Sequence, residues 1–114
     1  MNARLIEGPA TVSTTPRVLI AGDLHLCVTE SEVARMPVKG NYRIDIEGMQ
    51  EPLQIFWNAE GRVLNREAGS TDIEFDMRGS RAGQIRAHVV TAQVMERDGW
   101  RCIVSAVFVK ILVM

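Results

Sequence analysis

The residues of this chain best spaced for chemistry are Asp23, His25 and Cys27. A strand turns successive side chains to opposite faces, so this period-two spacing would line a carboxylate, an imidazole and a thiol along one face. Zinc accepts all three donors. Structural zinc sites usually draw paired ligands from two loops, whereas His88 and Cys102, the other His and Cys, fall on opposite faces of the C-terminal strands. The trio is thus a metal candidate without a fourth ligand. The expectation is a half-exposed face, with no metal and no cofactor.

A second candidate is the stretch 77–86, which holds three arginines, two glycines and no acid. Backbone amides freed by glycine beside arginine forks suit a phosphate or a carboxylate, and Arg78, Ser80, Arg81 and Arg86 are the residues that would hold it. The order is not that of a nucleotide-binding P-loop, and no helix is expected to follow it. A solvated inter-strand turn has the same composition. Catalysis finds less support. There is no GxSxG elbow and no HExxH, His25 and His88 lie within expected strands, and neither Cys adjoins a feature that would lower its pKa. The chain is expected not to be an enzyme.

Arg62 and Arg66 form an RxxxR spacing, and Ser80 to Gly83 an SxxG. Together they resemble the ligand motif of PilZ domains, β-barrel receptors for cyclic di-GMP. The resemblance implies a barrel that takes a cyclic dinucleotide. Arg78 stands where that family's Asp or Asn would precede the Ser, and 85–114 is short for the strands that should follow. Single-stranded nucleic acid on a small barrel is a further option through the same arginines. It needs a cationic groove with stacked aromatics, and the chain has 3 Phe, 2 Trp and 1 Tyr, with as many acids as bases on the strand faces. Nucleic acid is therefore not the expected partner.

The elements that must position these residues are strands. From Val18 to Val28 apolar residues alternate, with Val18, Ile20, Leu24, Leu26 and Val28 on one face, which predicts one half-buried strand. Thr29 and Glu32 have the spacing of a capping box, and Val28 with Val33 that of a hydrophobic staple, so a helix of about six residues should start there. Pro37 stops it, and Lys39-Gly40-Asn41 reads as a turn. Tyr42 to Glu47 alternates again and ends at Gly48. Leu53 to Trp57 and Arg62 to Asn65 flank Asn58 to Gly61, which suggests a hairpin with Gly61 at positive φ. Ile73, Phe75 and Met77 oppose the acidic row Asp72, Glu74 and Asp76.

The strongest local pattern is C-terminal. Gln84 to Glu96 and Trp100 to Leu112 flank Asp98-Gly99, a preferred two-residue hairpin turn. That register sets Glu96 opposite Arg101, and Val94, Ala92 and Val90 opposite Ile103, Ser105 and Val107. The other face holds Val89, Met95, Cys102, Val104, Ala106 and Phe108. Neither face suits water, so each must be covered, by a second sheet, by barrel closure or by another subunit. Ile111 to Met114 adds an uncharged apolar end that reads as a sheet edge in need of a partner.

Composition sets the outer bounds. At 114 residues, 46% hydrophobic and 24% charged, the chain is too apolar for disorder and of a size for one β-rich domain over 1–114. A net charge of −1 supplies no general attraction for nucleic acid or anionic lipid. Met1 to Pro9 does not read as a secretory signal, and the apolar run near the C-terminus is far short of the ~20 residues of a spanning helix. Cys27 and Cys102 read as small buried hydrophobes rather than a disulfide. These features suggest a cytoplasmic setting, with no membrane.

The segment Glu32 to Ile44, a short helix, a Pro-Gly turn and an alternating strand, resembles a segment of small phage head-tail joining proteins. That likeness implies a virion or mobile-element protein. The reading that follows is an all-β, mainly antiparallel fold with one short helix, a small barrel or sandwich with the C-terminal hairpin at its centre. Its expected role is a non-catalytic, self-associating protein-interaction or assembly module. Trp57, Trp100, Phe108, Ile111 and Leu112 are the candidate interface residues. The alternative is a small barrel that binds a phosphate-containing ligand through 78–86.

Overall fold

A computed structural model describes residues 15–97, 99 and 101–114. Eight strands and one helix follow in the order β1 (Arg17–Gly22), β2 (His25–Val28), α1 (Glu30–Arg35), β3 (Val38–Glu47), β4 (Leu53–Ala59), β5 (Arg62–Val63), β6 (Ser70–Phe75), β7 (Ile85–Glu96) and β8 (Cys102–Val113). They form two four-stranded sheets, ordered β1-β3-β6-β5 and β2-β8-β7-β4. Only β2, which runs parallel to β8, breaks the antiparallel rule. The two sheets share no strand among the described residues, so the fold is a sandwich rather than a closed barrel.

One apolar cluster lies between the sheets. Tyr42, Ile73 and Phe75 reach it from the first sheet, Trp57, Val90, Val109, Ile111 and Val113 from the second, and Val33 from the helix. The two large amphipathic rings in this cluster have partners for their polar tips: the Trp57 indole donates to the Ala68 carbonyl at 2.7 Å, and the Tyr42 hydroxyl to the Asp23 carbonyl at 2.7 Å.

The helix has the expected length and cap. The Thr29 hydroxyl accepts from the Glu32 amide at 3.2 Å, and the Glu32 carboxylate accepts from the Thr29 amide at 2.9 Å. The C-terminal register is also the expected one. Val94, Ala92 and Val90 pair with Ile103, Ser105 and Val107. Beyond them Arg101 Nε donates to Glu96 Oε1 at 3.0 Å. Asp98 of the expected turn lies outside the described residues; Gly99 has φ 71°. The reading of Met1 to Pro9 also falls outside them.

Four local expectations are corrected. Val18 to Val28 is two strands in different sheets, joined at a corner where Gly22 takes φ 142° and a Cβ would overlap the Asn41 carbonyl. The alternation survives because Leu24, Leu26 and Val28 pack on the same core as Ile20. Lys39-Gly40-Asn41 lies inside β3, and Gly40 is there because the Tyr42 ring lies where its side chain would be. The segment after β4 crosses between sheets and makes no hairpin with β5. Gly61 fits that crossing through close approach: a Cβ would sit 2.7 Å from the Glu74 carbonyl. Finally, Ile111 to Val113 is not an edge, because β2 pairs with it from His25↔Lys110 to Val28↔Val113.

Candidate functional site

The second sheet turns one side into the core and the other outward. The inward residues of its central hairpin, Val90, Ala92, Val94, Val109, Ile111 and Val113, are buried. The outward row of β7 runs Ile85, Ala87, Val89, Thr91, Gln93, Met95, and that of β8 runs Cys102, Val104, Ala106, Phe108, Lys110, Leu112. β4 adds Gln54, Phe56 and Asn58, and β2 adds His25 and Cys27. Ile85 is 65% exposed, Phe108 62%, Val104 61% and Phe56 43%. The Arg66 guanidinium lies 5.4 Å from the centre of the Phe56 ring and borders the patch. The strands themselves place no acid on this face and Lys110 is their one strongly basic residue; Glu60 and Glu67 line clefts at its β4 border, beside Val89 and Thr91 and beside Phe56 and Gln93. An apolar sheet face of this extent, with neutral polar groups toward one side, has the composition of an interface core.

The candidate interface residues divide accordingly. Phe108 is on the open face and Leu112 is half-buried there. Trp57 and Ile111 are corrected: both are wholly buried and belong to the core, because their strand positions have inward parity. Trp100 lies outside the described residues. Phe56 and Ile85 were missed. Phe56 neighbours Trp57 on the opposite face of one strand, and strand parity alone would have separated them once either was known to be core.

The glycine-arginine loop already holds anions, and they are the chain's own. Arg78 grips Asp76, with Nη2 at 2.8 Å and Nε at 3.0 Å from its oxygens, and this holds the Asp76 carboxyl down at about 2. The Ala82 amide donates to the Glu30 carboxylate at 3.1 Å, and the Arg81 amide to the Gln84 side chain at 2.8 Å. The Gly83 amide donates to the Val113 carbonyl at 2.7 Å. Ser80 is buried and makes no side-chain hydrogen bond among the described residues. It lines a cavity of about 230 Å³ with Glu30, Gly79 and Arg81, where the Glu30 charge opposes a phosphate. Arg81 and Arg86 are exposed. The loop therefore brings Ser80 and Arg81 together, while the Arg78 guanidinium and the Arg81, Ala82 and Gly83 amides are engaged by the chain itself.

The other constellations disperse. Asp23 belongs to the sheet corner, where its carboxylate accepts from the Asn41 amide at 2.8 Å, while His25 and Cys27 face outward from β2. Among the described residues no three His, Cys, Asp or Glu side chains form a metal-binding group. Of the RxxxR pair, Arg62 bonds Glu74 at 3.4 Å and Arg66 donates to the Trp57 carbonyl at 3.1 Å. His88 is tucked against Phe75, with ring centroids 4.9 Å apart, and burial lowers its pKa. The expected burial of Cys27 and Cys102 is corrected: both are free and exposed, because their positions on β2 and β8 have outward parity. No helix among the described residues is long and apolar enough to cross a membrane. No family model, no curated protein and no solved structure matches the chain.

Proposed function

We propose that this protein is a non-catalytic assembly module that associates with copies of itself through the outer face of the β2-β8-β7-β4 sheet. One observation carries the reading: the longest hairpin of the fold turns Ile85, Val104 and Phe108 to solvent on the side away from the core. At ~3.3 Å per residue and ~4.8 Å between strands, strands of 4, 12, 12 and 7 residues present a face of about 550 Å² in projection. Side-chain relief brings its accessible area toward the ~800 Å² that each partner contributes to a standard interface.

A second copy suits this face better than a charged partner does. Its strands place no acid on it, the carboxylates of Glu60 and Glu67 are confined to the β4 border, and Lys110 lies toward one end of the strands. With a two-fold axis near Thr91 and Ala106, the small Ala106 would receive a neighbour's bulk while the two Lys110 side chains stay apart. The likeness of Glu32 to Ile44 to phage joining proteins fits the same role, in a virion or in the cytoplasm. Light scattering across a dilution series tests the reading. A mass above that of the monomer, falling on dilution, is expected; a monomer at every concentration would refute it.

A further inference from the structure

We infer that two copies join edge to edge through β8, making one continuous sheet across a two-fold axis centred on Ser105. This rests on the self-association reading and adds to the stacking of outer faces a second, separate contact. β8 is twelve residues long, but β2 pairs only with its last part, from Lys110 to Val113. Over Cys102 to Val109 no described strand pairs with β8 on the side away from β7; β1 packs close to β8 but forms no ladder with it.

The direction of the backbone groups on that edge follows from the bonds around it. The Lys110 and Met114 amides point to β2, donating to the Leu24 and Val28 carbonyls, whereas Val113 and Arg101 bond toward β7. Strand alternation then aims the N–H and C=O of Cys102, Val104, Ala106 and Phe108 out of the open edge. Natural edges are blunted by charge, proline, a bulge or a covering loop. Cys102 to Val109 contains no charge and no proline, and its register with β7 is unbroken from Ile85↔Leu112 to Met95↔Cys102. On the inner side Ile103, Ser105 and Val107 are only half-buried, so a strand added there would also complete the cover of the core.

The register is determined by the same parity. A two-fold axis perpendicular to the sheet keeps outer faces on one side, so a residue must meet a partner of its own parity. Centring on Ser105 sets Cys102 opposite the second copy's Phe108 and Val104 opposite its Ala106, which uses every outward-pointing backbone group on that stretch. Centring one residue further on would set Cys102 against Lys110, whose amide is already bonded to Leu24. In the favoured register Ser105 meets its own copy in a non-hydrogen-bonded pair, with Cα atoms ~4.5 Å apart, within disulfide reach. The eight-stranded sheet that results doubles the apolar outer face.

The test uses the full chain with Cys27→Ala and Cys102→Ala. Adding Ser105→Cys should give a covalent dimer on mild oxidation. Ile103→Cys and Val107→Cys should each stay monomeric on a denaturing gel when alone and cross-link when mixed. Independently, amide exchange in the parent protein at Val104, Ala106 and Phe108 should slow at least roughly tenfold at high protein concentration. An oligomer with no cross-link at position 105 and fast-exchanging edge amides would overturn the edge pairing while leaving self-association intact. A monomer at all concentrations would overturn both. Edge amides protected in the dilute monomer would show that the chain covers its own edge, and would also overturn the inference.

Discussion

Replacing Phe108 with threonine isolates the outer face from the fold. Phe108 is 62% exposed, so folding leaves most of its ring in water. A phenylalanine presents on the order of 200 Å², and covering the exposed fraction at ~25 cal/mol per Å² is worth about 3 kcal/mol. Threonine is β-branched and, like phenylalanine, favoured in strands, and it recovers part of that area, which leaves a loss of about 2 kcal/mol per copy. That is roughly 30-fold in affinity per copy and about a thousandfold where two copies contribute symmetrically. The monomer should hardly notice, because exposed substitutions usually change stability by less than about 0.5 kcal/mol. Sedimentation equilibrium would read the first effect and thermal melting of a dilute sample the second. Association as tight as the parent's would refute the argument, as would a melting temperature lowered by many degrees, since Phe108 would then be serving the core.

Three further outcomes follow from the fold. Hydrogen bonds from Arg101 and from the Gln50 amide hold the Glu96 carboxyl below its usual range. Its contribution to stability is therefore full above the ordinary carboxylate pKa of 4.5 and lost as pH falls through the lowered folded value. Glu96→Gln should remove that part of the acid-side slope in melts between pH 6 and 3, on the order of one proton's worth. Gly61→Ala should destabilise by about 1–3 kcal/mol in urea melts, because the new methyl meets the Glu74 carbonyl and the Phe75 ring; an unchanged midpoint would mean the crossover yields freely. Trp57→Phe leaves the Ala68 carbonyl without its 2.7 Å donor and opens space in the core, and should cost about 2–4 kcal/mol by the same measurement.

Sequence periodicity determined which side of each strand is apolar, where the helix starts and stops, and the pairing of the C-terminal hairpin. These are local or turn-coupled properties, governed by side-chain parity, by the Thr29–Glu32 cap and by a short connection. Periodicity does not say which sheet a strand joins, so Val18 to Val28 read as one strand although the chain turns a corner at Gly22. Nor could it tell a glycine needed for φ from one needed for space, as at Gly40 and Gly61. The candidate sites depended on tertiary structure still more. Trp57 and Phe56 are neighbours of similar character, and only the packing of the first sheet against one side of β4 makes one core and the other surface. The Arg78 loop has the composition of an anion site, but the fold brings Asp76 and Glu30 to it. The hairpin itself announced two apolar sides; a sandwich has an inside for only one of them, and that is why the other faces outward.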